Sequence, residues 1–196
     1  MARTSGSHRD ITGPAIRKAA AGLIASKGYA AVSMREIARA VGVQAGALYN
    51  YYPDKQSILL DLMQGHMEAA LAGWEAAVPQ SATPTEQLEA FVRFHIRFHV
   101  NRPEDLFIAY MELRNLTPEN FVVIEALRNR YEGIIEEILK QGETEGLFQI
   151  PDSKVAAMAM IAMLTGVSNW YREGGRLSRE EVEDVYWEMT RRTVSA

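Results

Sequence analysis

The sequence predicts an all-α protein of about nine helices, and two observations predict it. Apolar residues recur at the three- and four-residue spacing of amphipathic helices along nearly the whole of the 196-residue chain. The alternation of apolar and polar residues that is typical of strands is absent. Pro and Gly residues interrupt the helical pattern at intervals, and these interruptions divide the chain into the elements below.

The first three helices are short and follow one another closely. Their predicted bounds are 12–28, 33–42 and 44–51. Thr12 can cap the first helix. Ser33 and Glu36 have the spacing of a capping box, in which each side chain satisfies a free backbone N–H group at the start of the second helix. A tight turn at Gly42 and Val43 joins this helix to the third, which is typical of a helix-turn-helix.

Six longer helices are predicted in the rest of the chain. Their bounds are 55–77, 85–101, 104–116, 118–145, 153–172 and 178–192. The Pro-containing segment 79–84 is a linker between two of them. Ser178 and Glu181 repeat the spacing of a capping box at the start of the last helix.

Composition excludes several classes of protein. The chain has no Cys, which excludes a disulfide framework, a thiolate zinc site and a cysteine nucleophile. The first residues lack the apolar run of a signal peptide. The longest apolar run, residues 155–164, is about half of the ~20 residues that a membrane-spanning helix needs. We therefore expect a cytoplasmic protein with no membrane partner.

Charge is divided unevenly along the chain. Residues 1–64 contain eight Lys or Arg and four Asp or Glu, whereas residues 65–196 contain 13 basic and 21 acidic residues. A net charge of +4 is thus followed by one of −8. A basic segment on an acidic body is typical of a small nucleic-acid-binding head.

The third helix has the side chains that a DNA recognition helix needs. Ala45, Gly46 and Ala47 make its N-terminal end small enough to enter the major groove. The four polar side chains of residues 49–52 follow and offer hydrogen-bonding groups. Lys55 begins the fourth helix, where free N–H groups and the helix dipole already favour an anion such as a phosphate.

This N-terminal segment resembles the TetR family of bacterial repressors. The family pattern is a T/S-x-R-x-I-A helix, a G-V turn, an L-Y-x-H-F recognition helix and a K-x-x-L start to the fourth helix. The matching stretches are SMREIA at 33–38, VGV at 41–43, GALYNYY at 46–52, and Lys55 with Leu59. The resemblance implies a DNA-binding domain over 1–54 and a ligand-binding and dimerisation domain over 55–196. It further implies a homodimer without a cofactor that binds a near-palindromic operator in double-stranded DNA.

The resemblance also assigns residues to the DNA interface. Ser33, Tyr49 and Lys55 match phosphate-contacting positions, and Arg35 matches a position that contacts a base or a phosphate. The recognition-helix positions that face the groove are Gln44, Ala45, Ala47 and Asn50.

Three residues depart from the family pattern. Tyr51 replaces the usual His and keeps a polar tip at the interface. Tyr52 replaces Phe, and we predict that it lies in the core. Ala45 stands where many members have a polar side chain, so specificity would depend more on Arg35, Gln44 and Asn50.

The helix 153–172 is apolar nearly all round over residues 155–164. A helix without a polar face must be buried on every side, which a dimer achieves more readily than a small monomer. The resemblance implies that the last two helices of each subunit form a four-helix bundle with the partner. Val182, Val185, Tyr186 and Met189 give the last helix a matching apolar spacing.

Two histidines are candidates for a small-molecule site. His95 and His99 lie one helical turn apart, where they could bind a metal, contact an effector or be hydrogen-bonded in the core. A third metal ligand and the Glu of a zinc-protease motif are not nearby, so we expect no metal. Three further residues could line an apolar effector cavity: Tyr110, Met111 and Met163.

Residues 166–178 are similar to a W-Y-R … G-x-L-S stretch in TetR proteins that respond to acyl-CoA thioesters. Trp170 could stack on such an effector and Arg172 could pair with its anionic groups, or both could cap the helical bundle. The leading hypothesis is therefore a repressor released by a small hydrophobic or acyl-CoA-like effector.

Two alternatives stay open. The protein could be an activator or a regulator that needs its ligand to bind DNA. The C-terminal half could also be a fused enzyme or metal-binding domain. Against an enzyme, the sequence shows no nucleophile–base pair and no glycine-rich phosphate loop. We therefore expect a regulator rather than an enzyme.

Overall fold

In the computed structural model the backbone is described for residues 5–195 and the side chains for residues 12–195. Ten α-helices and one 3₁₀ turn at Leu113–Asn115 make up the regular structure of the described residues. The helices are α1 Ser5–Lys27, α2 Met34–Val41, α3 Ala45–Leu48, α4 Lys55–Ala77, α5 Pro84–Val100, α6 Pro103–Met111, α7 Pro118–Thr144, α8 Ser153–Thr165, α9 Val167–Trp170 and α10 Arg179–Val194. No strand occurs in this part of the chain, and the predicted all-α class is confirmed. No helix found there is long and apolar enough to cross a membrane.

Most predicted helices have nearly the expected bounds, but four differ. The predicted helix 104–116 ends at Met111, and a separate 3₁₀ turn follows at Leu113–Asn115. The first helix begins at Ser5, so Thr12 is buried inside it and does not cap it. The recognition helix is the single turn Ala45–Leu48, because residues 49–51 continue as a turn. The predicted helix 153–172 is interrupted at Gly166, where a side chain would contact the carbonyl oxygen of Met163 at 3.2 Å.

The chain divides into two compact units. The N-terminal unit extends to His66 and also includes Glu104–Glu125. Its core is formed by buried apolar side chains of α1, α2, α3 and α4: Ile16, Ala20, Ile24, Ile37, Leu48, Ile58, Leu59 and Met63. Leu48 has no exposed surface, so it fixes the short recognition turn to this core.

The C-terminal unit comprises Met67–Pro103 and the chain from Ala126 onward. Helix α5 lies at its centre and packs on α8, α9 and α10. The predicted capping box of Ser178 at the start of α10 is confirmed. Thr83 caps α5 with a second complete capping box. Trp74 and Phe91 meet edge to face in the aromatic part of the core, with ring centroids 5.2 Å apart.

Candidate DNA-binding and effector sites

The start of α2 is only half of the predicted capping box. The Ser33 hydroxyl accepts a hydrogen bond from the Glu36 backbone N–H at 3.2 Å, as expected. The Glu36 carboxylate does not return to the Ser33 N–H, because it accepts a hydrogen bond from Lys27 on α1 instead. This bond, more than any other contact, lowers the pKa of Glu36. The prediction of a complete capping box is therefore wrong. An ion pair between Glu36 and Lys27 on α1 replaces its second half.

The turn between α2 and α3 has the predicted geometry. Gly42 adopts φ 74°, a left-handed conformation that Gly adopts without strain. The N–H groups of Gly42 and Val43 donate to the carbonyl oxygens of Arg39 and Ala38 at 3.2 and 3.0 Å, which satisfies the end of α2.

The residues assigned to DNA lie at or near the surface of the N-terminal unit. Ser33, Arg35, Gln44, Tyr49 and Asn50 are exposed, and Tyr49 keeps 52% of its surface accessible. Partly exposed are Ala45, Ala47 and Tyr51. These side chains are available to a DNA duplex, and the small alanines leave the recognition turn narrow.

Lys55 makes contacts within the protein that the motif did not indicate. Its ammonium donates to the carbonyl oxygens of Tyr29 at 2.8 Å and Val32 at 2.9 Å, and it lies 4.1 Å from the centroid of the Tyr29 ring. Lys55 thus fastens the loop between α1 and α2 to the start of α4. An ammonium has three hydrogens, so these two bonds leave a third for a phosphate.

Tyr52 has a contact that the sequence did not reveal. We predicted a core side chain, yet Tyr52 is only half-buried and its hydroxyl donates to Asp61 on α4 at 2.7 Å. Burial, followed by the hydrogen bond to Asp61, raises the pKa of Tyr52. Arg17 on α1 lies 3.5 Å from the other oxygen of Asp61. Tyr52 stands where the family has Phe, and its additional hydroxyl therefore joins the recognition segment to α4.

The two candidate histidines are buried in the C-terminal unit. His95 has no exposed surface, and its ring nitrogens lie 3.1 Å from the Tyr131 hydroxyl and 3.1 Å from the Thr165 hydroxyl. His99 is 3% exposed, with its ring centroid 4.3 Å from that of His95. Met163 is half-buried against the same core. In the described part of the chain, no cluster of three His, Asp or Glu side chains is placed to hold a metal.

Trp170 and Arg172 lie at the surface of the same unit. Trp170 is 48% exposed and stacks on Tyr186 with ring centroids 6.4 Å apart. The Arg172 guanidinium donates to the Tyr171 carbonyl oxygen at 2.7 Å. Arg172 also lines a cavity of about 430 Å³. The other residues of this cavity are Val100, Asn101, Pro103, Ser168, Tyr171, Glu173 and Arg179.

The remaining two effector candidates belong to the N-terminal unit. Tyr110 and Met111 end α6, and both line a cavity of about 520 Å³ with Arg114 and Phe121. The candidates therefore fall in three places, namely a buried polar core, the α9 surface and the end of α6. The structure does not join them into one site.

Sequence reasoning missed a buried carboxylate on α10. Glu183 has no exposed surface and receives two hydrogen bonds from Arg97 on α5, at 2.7 and 2.5 Å. Arg93 and Arg179 lie 3.7 and 3.6 Å from the same carboxylate. Arg179 and Glu183 are one helical turn apart, but Arg93 and Arg97 are 90 and 86 residues from Glu183, so no local pattern identifies the whole cluster.

The apolar helix α8 is not covered within one chain. Ala157, Met160, Ile161 and Leu164 face the core. The opposite face is exposed and consists of Val155, Met158, Ala159 and Ala162. On α10, Val185 and Met189 are also exposed, at 48% and 46%.

Helix α2 is capped by Ser33 and ends at the left-handed Gly42, and the exposed recognition turn follows. This arrangement in an all-α chain defines a helix-turn-helix regulator. Two family models match this chain. Residues 16–62 match the model for bacterial regulatory proteins of the tetR family, and residues 81–194 match that of the tetracyclin repressor-like C-terminal domain. The chain therefore belongs to the TetR family of DNA-binding transcriptional repressors.

Individual relatives extend over nearly the whole chain. The HTH-type transcriptional repressor KstR2 of Mycobacterium tuberculosis is 28% identical over 189 residues, which are 95% of this chain and 94% of KstR2. A tetR-family regulatory protein from Rhodococcus RHA1 superposes with a TM-score of 0.89 at 28% identity, covering 94% of this chain and 97% of its own. AibR, solved in complex with isovaleryl coenzyme A and operator DNA, gives a TM-score of 0.84 at 29% identity, covering 91% and 97%.

Proposed function

We propose that this protein is a dimeric repressor that binds a near-palindromic operator and is released by an acyl-CoA thioester. The exposed recognition turn supports the DNA-binding half of the proposal. Ser33, Tyr49 and Lys55 would contact phosphates, and Arg35, Gln44 and Asn50 would contact bases or phosphates. Ala45, Ala47 and Tyr51 would line the approach to the groove. A regulator of chromosomal DNA would act in the cytoplasm.

The exposed apolar faces of α8 and α10 support a homodimer. Exposure of an apolar stripe to water is unfavourable, and pairing with a second copy would bury it. The stripe on α8 consists of Val155, Met158, Ala159 and Ala162. Small Ala residues permit close approach of two helices, and Met adapts to an irregular partner surface. A dimer would also place two recognition turns on successive half-sites of the operator.

The observation that carries the effector class is the surface of α9. Trp170 offers a half-exposed aromatic face, and Arg172 offers a cation at a cavity of about 430 Å³ that Arg179 also lines. Coenzyme A thioesters combine an aromatic base with phosphates, which such groups bind by stacking and by charge-assisted hydrogen bonds. The fold neighbour AibR binds isovaleryl coenzyme A, which supports the same class of effector for this chain.

Release would follow from a population shift. An effector that binds one conformation of the C-terminal unit more tightly increases the population of that conformation. Helix α4 extends from Lys55 to Ala77, so a movement of this helix would change the spacing of the two DNA-binding segments.

The test is a salt-dependent binding measurement with the purified full chain. Fragments of the DNA that flanks its own gene are titrated first, and a panel of acyl-CoA thioesters is then added. We expect tight, salt-sensitive binding to one near-palindrome and its release by one class of thioester. Specific binding that no thioester disturbs would overturn the effector half and leave the DNA-binding half intact.

A variant pair locates the effector. Arg172→Gln should raise the thioester concentration needed for release about tenfold, because a charge-assisted hydrogen bond to a phosphate is lost. Arg176→Gln is the matched control, since Arg176 is an exposed Arg nearby that does not line this cavity. Equal sensitivity of the two variants and the wild type would place the effector elsewhere.

A further inference from the structure

The segment between α6 and α7 is hydrogen-bonded to the DNA-binding helices inside the N-terminal unit. We call residues 112–120 the α6–α7 corner. Glu112, at its start, is 5% exposed, and its carboxylate accepts a hydrogen bond from the Tyr29 backbone N–H at 3.1 Å. Tyr29 lies in the loop between α1 and α2, directly after Gly28, which adopts φ 82°. A buried carboxylate from the corner thus holds the loop that precedes α2.

Gln56, in the first turn of α4, makes the second connection. Its amide nitrogen donates to the Tyr29 hydroxyl at 3.0 Å and to the Asn115 carbonyl oxygen at 2.5 Å. Its amide oxygen accepts from the Thr117 backbone N–H at 3.2 Å and from the Asn120 side chain at 3.4 Å. A Gln side chain has two donors and two acceptor lone pairs, so all four are used here.

Tyr29 is the residue on which these contacts converge. Its N–H group, hydroxyl and carbonyl oxygen are engaged by Glu112, Gln56 and Lys55, respectively. Lys55 also holds the Val32 carbonyl oxygen, and the next residue is Ser33, the cap of α2. Because hydrogen bonds weaken steeply as their geometry is lost, a displacement of the corner would be transmitted through Tyr29 to the start of α2.

We propose that Gln56 is a positioning residue that ties the α6–α7 corner to Tyr29, so that the placement of α2, and with it operator affinity, depends on the corner. This inference rests on the proposed DNA-binding function. Gln56 itself is not among the residues assigned to DNA, so its effect on affinity is indirect.

The test compares Gln56→Met with Gln87→Met in the full chain. Met preserves side-chain volume and helix propensity and removes only the hydrogen bonds. Gln87 is the matched control, because its amide donates a single hydrogen bond, to the Ala82 carbonyl oxygen in the C-terminal unit. We expect Gln56→Met to weaken operator binding roughly tenfold, within the usual range of coupling between sites. Affinity for non-specific DNA and the salt slope should be unchanged, since the phosphate contacts remain.

A double-mutant cycle separates positioning from simple destabilisation. Asn120→Ala should weaken operator binding in the wild type and have no further effect in Gln56→Met, if it acts through Gln56. Operator affinity of Gln56→Met within twofold of the wild type would overturn the proposal. Equal losses on operator and on non-specific DNA would also overturn it, because they indicate loss of the folded DNA-binding segment.

A measurement without DNA tests the inference even where the proposed function fails. Amide hydrogen exchange at Glu36 and Ile37 reports on the start of α2, which Gln56 does not contact. We expect exchange there to be about tenfold faster in Gln56→Met and unchanged in Gln87→Met. Unchanged exchange in Gln56→Met would overturn the inference, whereas absence of a preferred operator for the wild type would overturn only the proposed function.

Discussion

The polar groups assigned to DNA in the N-terminal unit and the notable polar groups of the C-terminal unit are placed in opposite ways. In the N-terminal unit, the polar side chains assigned to DNA are exposed or partly exposed and lie within 23 residues of sequence, from Ser33 to Lys55. In the C-terminal unit, the notable polar groups are buried, and each cluster is assembled from distant helices. Glu183 meets Arg97 from 86 residues away, and His95 meets Thr165 from 70 residues away.

Local sequence motifs are more informative for one unit than for the other. A surface that binds an elongated polymer such as DNA can be built from one short stretch, so its residues form a recognisable local pattern. An interior that accommodates a small molecule or a partner helix depends on packing between helices. Its polar groups must be satisfied by whatever the fold brings near them.

A charge introduced into the exposed apolar stripe of α8 should have the largest effect, on the stability of the dimer. Ala162→Arg would place a cation in the middle of the proposed dimer interface, where burying it unpaired is costly. We expect the dissociation constant of the dimer to rise about a hundredfold or more. Analytical ultracentrifugation over a concentration series measures this. Ala126→Arg, at an exposed Ala of α7, is the matched control and should leave the dimer intact. If both variants stay dimeric, α8 is not the interface.

Removal of the buried carboxylate should have the next largest effect. Glu183→Gln would weaken the hydrogen bonds that Arg97 donates to this buried group, and we expect a loss of about 1.5–3 kcal/mol in the free energy of unfolding. Urea denaturation measures the loss. Asp184→Asn is the control: Asp184 also pairs with Arg93 but is 67% exposed, so its loss should stay below about 1 kcal/mol. Similar losses for both variants would mean that burial does not strengthen the Glu183 contacts.

The helices were predictable because periodicity and capping are local. Helix α4 has the predicted bounds, and the capping box at Ser178 is confirmed. The errors arise where a distant partner competes with the local one. Glu36 is the clearest case, since Lys27 from α1 takes the carboxylate that the local pattern assigned to Ser33. Thr12 is a different case, because α1 already begins at Ser5 and Thr12 lies inside the helix.

The candidate site was predictable only in part, for the same physical reason. The helix-turn-helix, its turn at Gly42 and the family follow from consecutive residues. The hydroxyl of Tyr52, the four hydrogen bonds of Gln56 and the burial of Glu183 all depend on partners in other helices. No spacing rule in the sequence identifies these partners.

Lys55 combines a local motif with a distant partner, so its variant has two expected effects. Lys55→Ala should weaken binding about equally on all DNA sequences and lower the salt slope by roughly one unit. It should also lower the free energy of unfolding by about 1–2 kcal/mol, because two backbone carbonyl groups lose their donor. Fluorescence anisotropy at several salt concentrations measures the slope. An unchanged slope with reduced stability would show that Lys55 acts only on the α1–α2 loop.

Tyr52→Phe restores the family's residue and should still destabilise this chain. The Asp61 carboxylate would lose a hydrogen bond, at a cost of about 1 kcal/mol. Because the pKa of Tyr52 is raised above the ordinary value of 10.0, this contribution is present below pH 10 and is lost as the pH rises beyond it. Denaturation at neutral and at alkaline pH measures both. Tyr49→Phe is the control for stability, since Tyr49 is largely exposed. A Tyr52→Phe protein as stable as the wild type would show that the hydroxyl is dispensable.

Substitution of Glu188 on α10 should have the smallest effect on stability. Hydrogen bonds from Arg191 and then Arg192 lower the pKa of Glu188 to about 2, from 4.5. A lowered carboxyl pKa stabilises the folded chain above pH 4.5, and this stabilisation is lost as the pH falls towards 2. For an exposed group the difference in melting temperature between Glu188→Gln and the wild type should be small and should shrink with added salt.

The same variant reports on what covers α10. Glu188 lines a shallow groove with Val185 and Met189, the two apolar side chains that a partner subunit would bury. If a second copy covers this groove, salt screens the ion pairs less in the dimer than in the monomer, because buried charges are shielded from mobile ions. The Glu188→Gln difference should then grow with protein concentration. A difference that is independent of concentration would mean that this face of α10 stays in water, and the dimer interface would have to be assigned to α8 without it.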